Sequence, residues 1–333
     1  AGCAGGDDDW DAENAASDVS VVWVESAWDP IIPNLNAGEM CDVIISAMTK
    51  TATRDEVVDF TTAYYTSSQG VIGGTGAASI SGVADLNAAG VTVGVQSGTT
   101  SDIYANGDAT NDAMLADATV VAYEDFPTVI AALNNGDVMY ALGDAPVLSL
   151  SGTLMASFSD ENFGFAVRED SGELLDALNM AISAIVDSGE YDDIYAASFN
   201  GAVTLADDST ADTATAYPEP SGSSDLAGVL DSGALNICTD PFYAPFESYD
   251  ADGTVVGFDA DIAHAIADEI GAHYLGAANP SFSGAALAVP DTVIKLGVLY
   301  DNEAGLANFA PAFNFARDQA FSDLNANNPG YDF

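Results

Sequence analysis

The sequence predicts an α/β fold with largely parallel sheets. Short β-rich runs alternate with segments whose apolar residues recur at helical spacing, which is the pattern of strand–helix–strand units. The chain has 333 residues, and 48% of them are hydrophobic, which is enough for the cores of about two domains. This apolar content excludes a wholly disordered chain, even though the formal net charge is −47.

The predicted elements begin at Val19. Residues 19–25 form a β-rich run, residues 29–37 carry apolar side chains at helical spacing before Gly38, and residues 43–45 are an apolar strand core. The alternation continues with strands at 91–96, 119–123 and 139–143, and with helices from Ser101 and over 126–134 and 173–188.

A linker rich in Asp, Ser, Thr, Ala and Pro interrupts this alternation at residues 204–224. After it the sequence predicts a strand at 235–239, a hairpin at 246–258 and a helix at 259–270 that ends at Gly271. A second linker, residues 275–292, then precedes a further module that starts at 293 and runs to 333, with a strand at 293–299 and a helix at 306–325.

The charge balance excludes two classes of partner. Against 52 acidic residues the chain has five basic ones, which are Lys50, Arg54, Arg168, Lys295 and Arg317. Nucleic-acid phosphates and anionic membrane surfaces both require clustered cations, so neither is a predicted partner. Such an acidic surface is typical of proteins that stay soluble in a salty medium, as in halophilic or marine organisms. No run approaches the roughly 18 apolar residues of a membrane-spanning helix.

The three cysteines match no zinc-binding spacing. Cys41 and Cys238 lie within or beside apolar runs, which predicts two buried free thiols. Cys3, in the segment AGCAGG, resembles the lipidated cysteine at the end of a lipoprotein signal, and the acidic residues 1–18 would form its tether. An ordinary flexible terminus is the alternative.

Three segments together resemble the type II solute-binding proteins of ABC importers, in the branch for polar amino acids. They are residues 27–54 (AWDPIIPNLNAGEMCDVIISAMTKTATR), residues 93–100 (VGVQSGTT) and residues 142–146 (LGDAP). The resemblance covers residues 19–203. It implies a two-lobed periplasmic-binding-protein-like fold with parallel-rich sheets and a hinge, in which the lobes close around a ligand.

The order of the segments departs from the family. Its members open with a segment similar to residues 233–262, which here follows the linker, so the module at 19–203 lacks its usual first strand and helix. In a permuted domain, residues 225–274 would fold back to supply the missing part of the first lobe. In a tandem array they would begin a second module. Residues 293–307 resemble the start of a branched-chain amino-acid-binding protein, and this third partial module favours the tandem, fragmentary arrangement.

The resemblance also implies a binding site. Arg54 would bind the α-carboxylate of an amino acid, because a guanidinium grips a carboxylate through two hydrogen bonds. Ser46 and Thr49 would add backbone and hydroxyl contacts. Ser97 and Thr99 lie between a strand and a helix, where backbone N–H groups and hydroxyls can bind an anion.

The opposite pole of that site would be acidic and aromatic. Asp144, at the end of a predicted strand, would face the ligand's ammonium group. Phe242 and Tyr243, which follow Asp240, would furnish an aromatic wall for a cation–π contact. Trp28 is expected to pack under the following helix as a structural residue.

The sequence therefore predicts an extracytoplasmic receptor that captures a polar amino acid or similar zwitterion. Arg54 and Ser46 would close from one lobe against Thr99 and Asp144 on the other, and the ligand would pass to the membrane subunits of an ABC importer. No cofactor, metal or catalytic residue is predicted, since the chain's two histidines have no metal-ligand or catalytic partners. Two alternatives stay open: a structural or adhesive surface protein built from binding modules, and a lyase or dehydratase on the same scaffold.

Overall fold

A computed structural model describes residues 19–109, 111–199 and 216–276, all within one compact unit. Several predictions lie outside these residues, namely the tether with Cys3, most of the first linker and the module at 293–333. Within the described ranges no helix is both long and apolar enough to cross a membrane.

The predicted elements are present in the described residues, with most ends shifted by one or two positions. The strands are β1 Ser20–Glu25, β2 Val43–Ile44, β3 Asp59–Phe60, β4 Tyr65–Gly73, β5 Thr92–Gln96, β6 Thr119–Tyr123, β7 Tyr140–Asp144, β8 Ala156–Phe163, β9 Ala166–Val167, β10 Ala234–Thr239, β11 Phe242–Tyr243, β12 Glu247–Tyr249 and β13 Val255–Val256. The helices are α1 Ile31–Ala37, α2 Thr100–Asn106, α3 Phe126–Asn135, α4 Ala145–Ser149, α5 Gly172–Ser188, α6 Glu190–Ser198, α7 Asp225–Ser232 and α8 Phe258–Tyr274.

One predicted helix end is wrong. Helix α8 continues through Gly271 to Tyr274. Its last turn is anchored by tertiary contacts that the sequence pattern does not show: the Tyr274 hydroxyl donates to the carbonyl of Pro218, and the His273 ring stacks on Tyr217 at 3.8 Å. Packing therefore overrides the weak local preference of glycine to end a helix.

Ten of the strands form two five-stranded sheets, one in each lobe, and β11, β12 and β13 form a small antiparallel sheet. The first sheet has the order β1-β10-β2-β9-β3, and the second has the order β6-β5-β7-β4-β8. In the second sheet β5 is parallel to β6 and β7, whereas β4 is antiparallel to β7 and β8. Helices pack on both sheets, so the predicted α/β fold is confirmed, while each sheet combines parallel with antiparallel pairs.

Strand β10 lies between β1 and β2 in the first sheet. It pairs in parallel with β1 from Ser20↔Ala234 to Glu25↔Thr239, and with β2 at Ile237↔Val43 and Cys238↔Ile44. The segment after the linker thus supplies an inner strand of the first lobe. The described residues have the permuted arrangement, and the expectation that this segment begins a separate module is wrong. Without β10, the facing edges of β1 and β2 would be left unpaired.

A disulfide joins the same two parts of the chain. Cys41 and Cys238 are bonded, with their Cα atoms 5.6 Å apart and a sequence separation of 197 positions. The prediction of two free thiols is therefore wrong, although both residues are buried. Sequence alone could not bring them together because it left the position of β10 open. Disulfides persist in oxidising compartments, so this bond agrees with an extracytoplasmic location.

The two lobes are connected through strands β4 and β8. These strands run antiparallel side by side from Tyr65↔Phe163 to Val71↔Ala156, with an irregularity between Ser68 and Gln69. Aromatic rings from three parts of the chain pack at their first-lobe end. Phe246 lies 5.0 Å from Tyr65 and 5.3 Å from Phe163, between ring centroids. The pair of strands has the position of a hinge.

Candidate functional site

A small cavity lies between the lobes, where the carboxyl ends of several strands meet. This is where open α/β sheets place their ligands. The first lobe contributes Trp28, Ser46, Ala47, Thr49, Arg54, Asp240, Tyr243 and Glu247, and the second contributes Gln96, Thr99, Thr100 and Asp144. The cavity has a volume of about 20 Å³. That is room for about one water, so the lobes are closed on each other.

Arg54 is the cation among the lining residues, and it is only 9% exposed. Its Nη1 donates to the carbonyl of Thr49 at 2.8 Å, and its Nη2 donates to the carbonyl of Gly98 in the other lobe at 3.3 Å. Its guanidinium carbon lies 5.1 Å from the centre of the Trp28 ring. Burial lowers the pKa of Arg54 to about 10, while Glu161 and Asp144 oppose the shift. The side chain is therefore charged at neutral pH.

Asp144 ends strand β7 and is 5% exposed. It accepts hydrogen bonds from the Tyr243 hydroxyl at 2.6 Å and from the Ser67 hydroxyl at 2.8 Å. Burial, followed by the charge of Glu161, raises the pKa of Asp144 to about 7, and the bonds from Tyr243 and Ser67 limit the shift. Near neutral pH the carboxyl is thus poised between its two forms, and a nearby cation would favour the ionised one.

Further hydrogen bonds cross the cleft. Gln96 Nε2 donates to Asp240 Oδ2 at 3.0 Å, and the Ser97 hydroxyl donates to Asp29 Oδ2 at 3.2 Å. Burial raises the pKa of Asp240 to about 6, although the bond from Gln96 opposes this. Together with the bonds of Arg54 and Tyr243, these contacts hold the closed arrangement through the protein's own side chains.

Two buried carboxyl groups hold the loop that follows β2. The Ser46 hydroxyl donates to Glu247 Oε1 at 2.8 Å, and the Ala47 N–H donates to Asp259 Oδ2 at 2.7 Å. Ala47 has φ 43, in the left-handed region that non-glycine residues rarely adopt. Burial and the neighbouring Asp259 raise the pKa of Glu247 well above its ordinary value. The segment after the linker thus fixes the loop that leads to Thr49 and Arg54.

Comparison with known proteins identifies the family of this chain. The family description "bacterial extracellular solute-binding proteins, family 3" matches residues 8–201 and 235–283. The chain belongs to this family.

Its relatives include a probable histidine-binding protein of Neisseria gonorrhoeae, 29% identical over 194 residues, which are 55% of this chain and 70% of the relative. Another is the L-arginine-binding protein of Pseudomonas aeruginosa, 31% identical over 187 residues, with coverages of 53% and 71%. Among solved structures, the ancestral amino acid-binding protein AncCDT-1, a precursor of cyclohexadienyl dehydratase, is 31% identical over 52% of this chain and 75% of that chain, with a TM-score of 0.48.

The cleft of this solute-binding protein brings together most of the residues that the sequence predicted. Seven of them line the cavity, which are Ser46, Thr49, Arg54, Thr99, Asp144, Asp240 and Tyr243. Thr99 also caps α2: its hydroxyl donates to the carbonyl of Gln96 and accepts from Asp102 N. The Gly98 N–H donates to Asp102 Oδ2, so part of the predicted backbone anion site is occupied by the chain itself.

Two predicted residues do not line the cavity. Ser97 lies beside it and bonds to Asp29. Phe242 is 45% exposed, and its ring packs 5.9 Å from that of Tyr249. Successive side chains of a strand point to opposite faces, so Tyr243 faces the cleft and Phe242 faces solvent. Of the predicted aromatic wall, Tyr243 therefore lines the cavity and Phe242 does not.

The sequence analysis missed several residues of the cavity. Trp28, expected to be only structural, lines the cavity, and its ring faces the guanidinium group of Arg54. Gln96 and Thr100 belong to the segment VGVQSGTT, and their places at a strand end and a helix start could have marked them. Glu247 gave no signal, because its position depends on β12 folding back onto the loop at Ser46.

Proposed function

We propose that this solute-binding protein captures an amino acid between its lobes and delivers it to an ABC importer. The observation that carries the proposal is the placement of Arg54 and Asp144. They are buried groups of opposite charge that face one cavity from different lobes. A ligand that carries both a carboxylate and an ammonium would join them, and so join the lobes.

Arg54 is oriented for this role by its own hydrogen bonds. Its contacts with the carbonyls of Thr49 and Gly98 and with the Trp28 ring fix the guanidinium plane at the cavity wall. A carboxylate that replaces the Gly98 carbonyl as its acceptor gains a charge-assisted bond in a site shielded from water. The ammonium group would take the place of the Tyr243 hydroxyl at Asp144, and its charge would draw the carboxyl into its ionised form.

Entry of the ligand requires the lobes to move apart. Amino-acid-sized and larger ligands bind in pockets of roughly 300 Å³ or more, far above the present space of about 20 Å³. The motion would be a hinge opening at β4 and β8, which connect the lobes. The ligand then favours the closed state because it contacts both lobes at once.

The lining chemistry supports a ligand with a positively charged side chain. Besides Asp144, the cavity has the carboxyl groups of Asp240 and Glu247 and one cation, Arg54. The names of the histidine- and arginine-binding relatives point in the same direction. Lipid anchoring at Cys3, which stays a prediction, would agree with a receptor that works outside the cytoplasm.

Titration calorimetry with a panel of amino acids tests the proposal. We expect Arg54→Ala to weaken binding by roughly 10- to 100-fold, the range of a charge-assisted hydrogen bond. Arg168→Gln is the control, since it removes a guanidinium that pairs with Asp225 away from the cleft, at 2.9 Å. Unchanged affinity in the folded Arg54→Ala variant would refute the carboxylate assignment. We also expect the bound amino acid to be recovered unchanged, and a new product in the mass spectrum would instead support a lyase.

A further inference from the structure

A second cavity adjoins the cleft behind Thr49 and Thr100, which line both spaces. Its volume is about 480 Å³, which is enough for a group of several heavy atoms. Its walls include Tyr104, Asp160 and Glu161. We call this space the side cavity.

Glu161 is a half-satisfied buried carboxyl group in the wall of the side cavity. It is 2% exposed. Its Oε2 accepts from the Thr49 hydroxyl at 2.7 Å, from the Thr100 hydroxyl at 3.0 Å and from Gln69 Nε2 at 3.2 Å. Its Oε1 is buried and has no hydrogen-bond partner among the described residues. A buried acceptor without a donor is costly, so a donor at Oε1 would be stabilising.

Within the described residues, the hydrogen bonds to Glu161 Oε2 come from Thr49, Thr100 and Gln69, none of which is a cation. Arg54 lies near enough for Glu161 to oppose the shift of its pKa, but its Nη1 and Nη2 donate to the carbonyls of Thr49 and Gly98. Asp144 adds a second carboxyl nearby, since Gln69 Nε2 reaches Asp144 Oδ1 at 3.4 Å and Glu161 Oε2 at 3.2 Å. If Arg54 and Asp144 serve the two ends of an amino acid, the charge of Glu161 is left over.

The charges around the side cavity are mostly negative as well. Asp108 and Asp160 line it with Glu161, against the single cation Lys50, whose Nζ donates to the carbonyl of Thr61 at 2.8 Å. Tyr104 also lines it, and its hydroxyl shares a hydrogen bond of 2.7 Å with Ser159 Oγ. Burial is the main cause that raises the pKa of Tyr104; the bond with Ser159 opposes the shift, and the nearby Glu161 adds to it both by its charge and as a hydrogen-bond acceptor. The environment is thus one that attracts a positive group and supplies oxygen acceptors for it.

We propose that the side cavity is a subsite for an ammonium or guanidinium group, with Glu161 as its acceptor. The proposal rests on the proposed amino-acid-binding function and adds a place for a second positive charge. The group would be either the cationic end of the amino acid's own side chain, which passes between Thr49 and Thr100, or a separate small amine bound beside the ligand. A metal ion is not favoured, since the described residues form no group of three or more metal-ligating side chains.

The test compares arginine with citrulline, which has nearly the same shape without the positive charge. Calorimetry is run on the wild type, on Glu161→Gln and on Asp160→Asn, a control that removes an exposed carboxylate from the same cavity. We expect Glu161→Gln to reduce the preference for arginine over citrulline by tenfold or more, and Asp160→Asn to change it by less than threefold. Glu161→Asp should retain part of the preference.

A second arm distinguishes the source of the cation. Methylguanidine is added to the wild type together with citrulline. Tighter binding of citrulline, absent in Glu161→Gln, would show a separate amine in the side cavity, whereas no effect together with a strong arginine preference would show the ligand's own side chain.

Three results would overturn the subsite. The first is an unchanged preference for arginine in Glu161→Gln. The second is an equal loss of affinity for both ligands in that variant, which would mean that Glu161 only positions Thr49 and Thr100, and the third is that neither ligand binds the wild type. The two proposals can fail separately. If Arg54→Ala binds normally while Glu161→Gln loses the preference, the carboxylate assignment fails and the subsite stands.

Discussion

The hydroxyl of Tyr243 is positioned as a latch that closes the empty cleft, and Tyr243→Phe removes it with little change in shape. The hydroxyl donates to Asp144 Oδ2 at 2.6 Å, and it also accepts from Asp144 N at 3.3 Å. Tyr243 belongs to the first lobe and Asp144 to the second, so both bonds must break when the lobes separate. In the complex, the ammonium of the ligand would take over the carboxylate.

The size of the effect follows from the type of bond. A hydrogen bond to a charged group contributes about 1.5–3 kcal/mol and a neutral one about 0.5–1.5 kcal/mol. The pKa of Asp144 is about 7, so near neutral pH the carboxyl is divided between the two cases. A value of about 1.5 kcal/mol corresponds to roughly tenfold in the open–closed equilibrium of the empty protein. Because the latch competes with the ligand for Asp144, its loss should tighten ligand binding by up to about tenfold.

Small-angle scattering and calorimetry measure these two effects. We expect Tyr243→Phe to have a larger radius of gyration than the wild type without ligand, the same radius with saturating amino acid, and a lower Kd. Tyr249→Phe is the matched control, because that hydroxyl also donates to a carboxylate, Glu25 Oε2 at 2.6 Å, but outside the cleft lining. Weaker binding in Tyr243→Phe with a normal control would refute the latch and make the hydroxyl a ligand contact.

Three further predictions concern the disulfide and pH. Replacing Cys41 and Cys238 by alanine should lower the calorimetric Tm by roughly 5–15 °C, since a bridge over a long loop contributes about 2–5 kcal/mol; an unchanged Tm would mean that the bond is absent in solution. Ligand affinity should fall by up to about tenfold per pH unit below pH 7 as Asp144 takes up a proton, and a flat profile would exclude it as the ammonium acceptor. The empty fold should be more stable at pH 5 than at pH 7.5. Burial raises the pKa of Asp144 to about 7 and those of Asp240 and Asp259 to about 6, so the folded state holds protons that the unfolded chain has released. This stabilisation is lost as pH rises from about 4 to about 7, and a Tm that rises over that range would contradict the predicted direction.

The sequence was sufficient for features that local patterns determine. Alternating apolar periods placed the strands and helices, and Arg54 was conspicuous because so few cations occur in the chain. Its role as a carboxylate anchor came from the resemblance of residues 27–54 to the solute-binding family, and in the structure Arg54 is buried and bonded to main-chain carbonyls.

Features that depend on long-range pairing were not predictable in the same way. The position of β10 between β1 and β2 decides whether Cys41 meets Cys238 and whether Glu247 reaches Ser46, and two arrangements were compatible with the same sequence. Glu161 illustrates a different limit. In a chain with 52 acidic residues nothing local distinguishes one glutamate, and only its burial among Thr49, Thr100 and Gln69 does so.

The insertion of β10 between β1 and β2 also sets an order of events during biosynthesis. The chain is made from its N-terminus, so β1 and β2 leave the ribosome about two hundred residues before the strand that separates them. Until then the first lobe has two open strand edges and an uncovered apolar face, whereas the second lobe has all its strands within residues 65–163. The second lobe can therefore fold early, and the first lobe stays unfinished until residues 234–239 arrive.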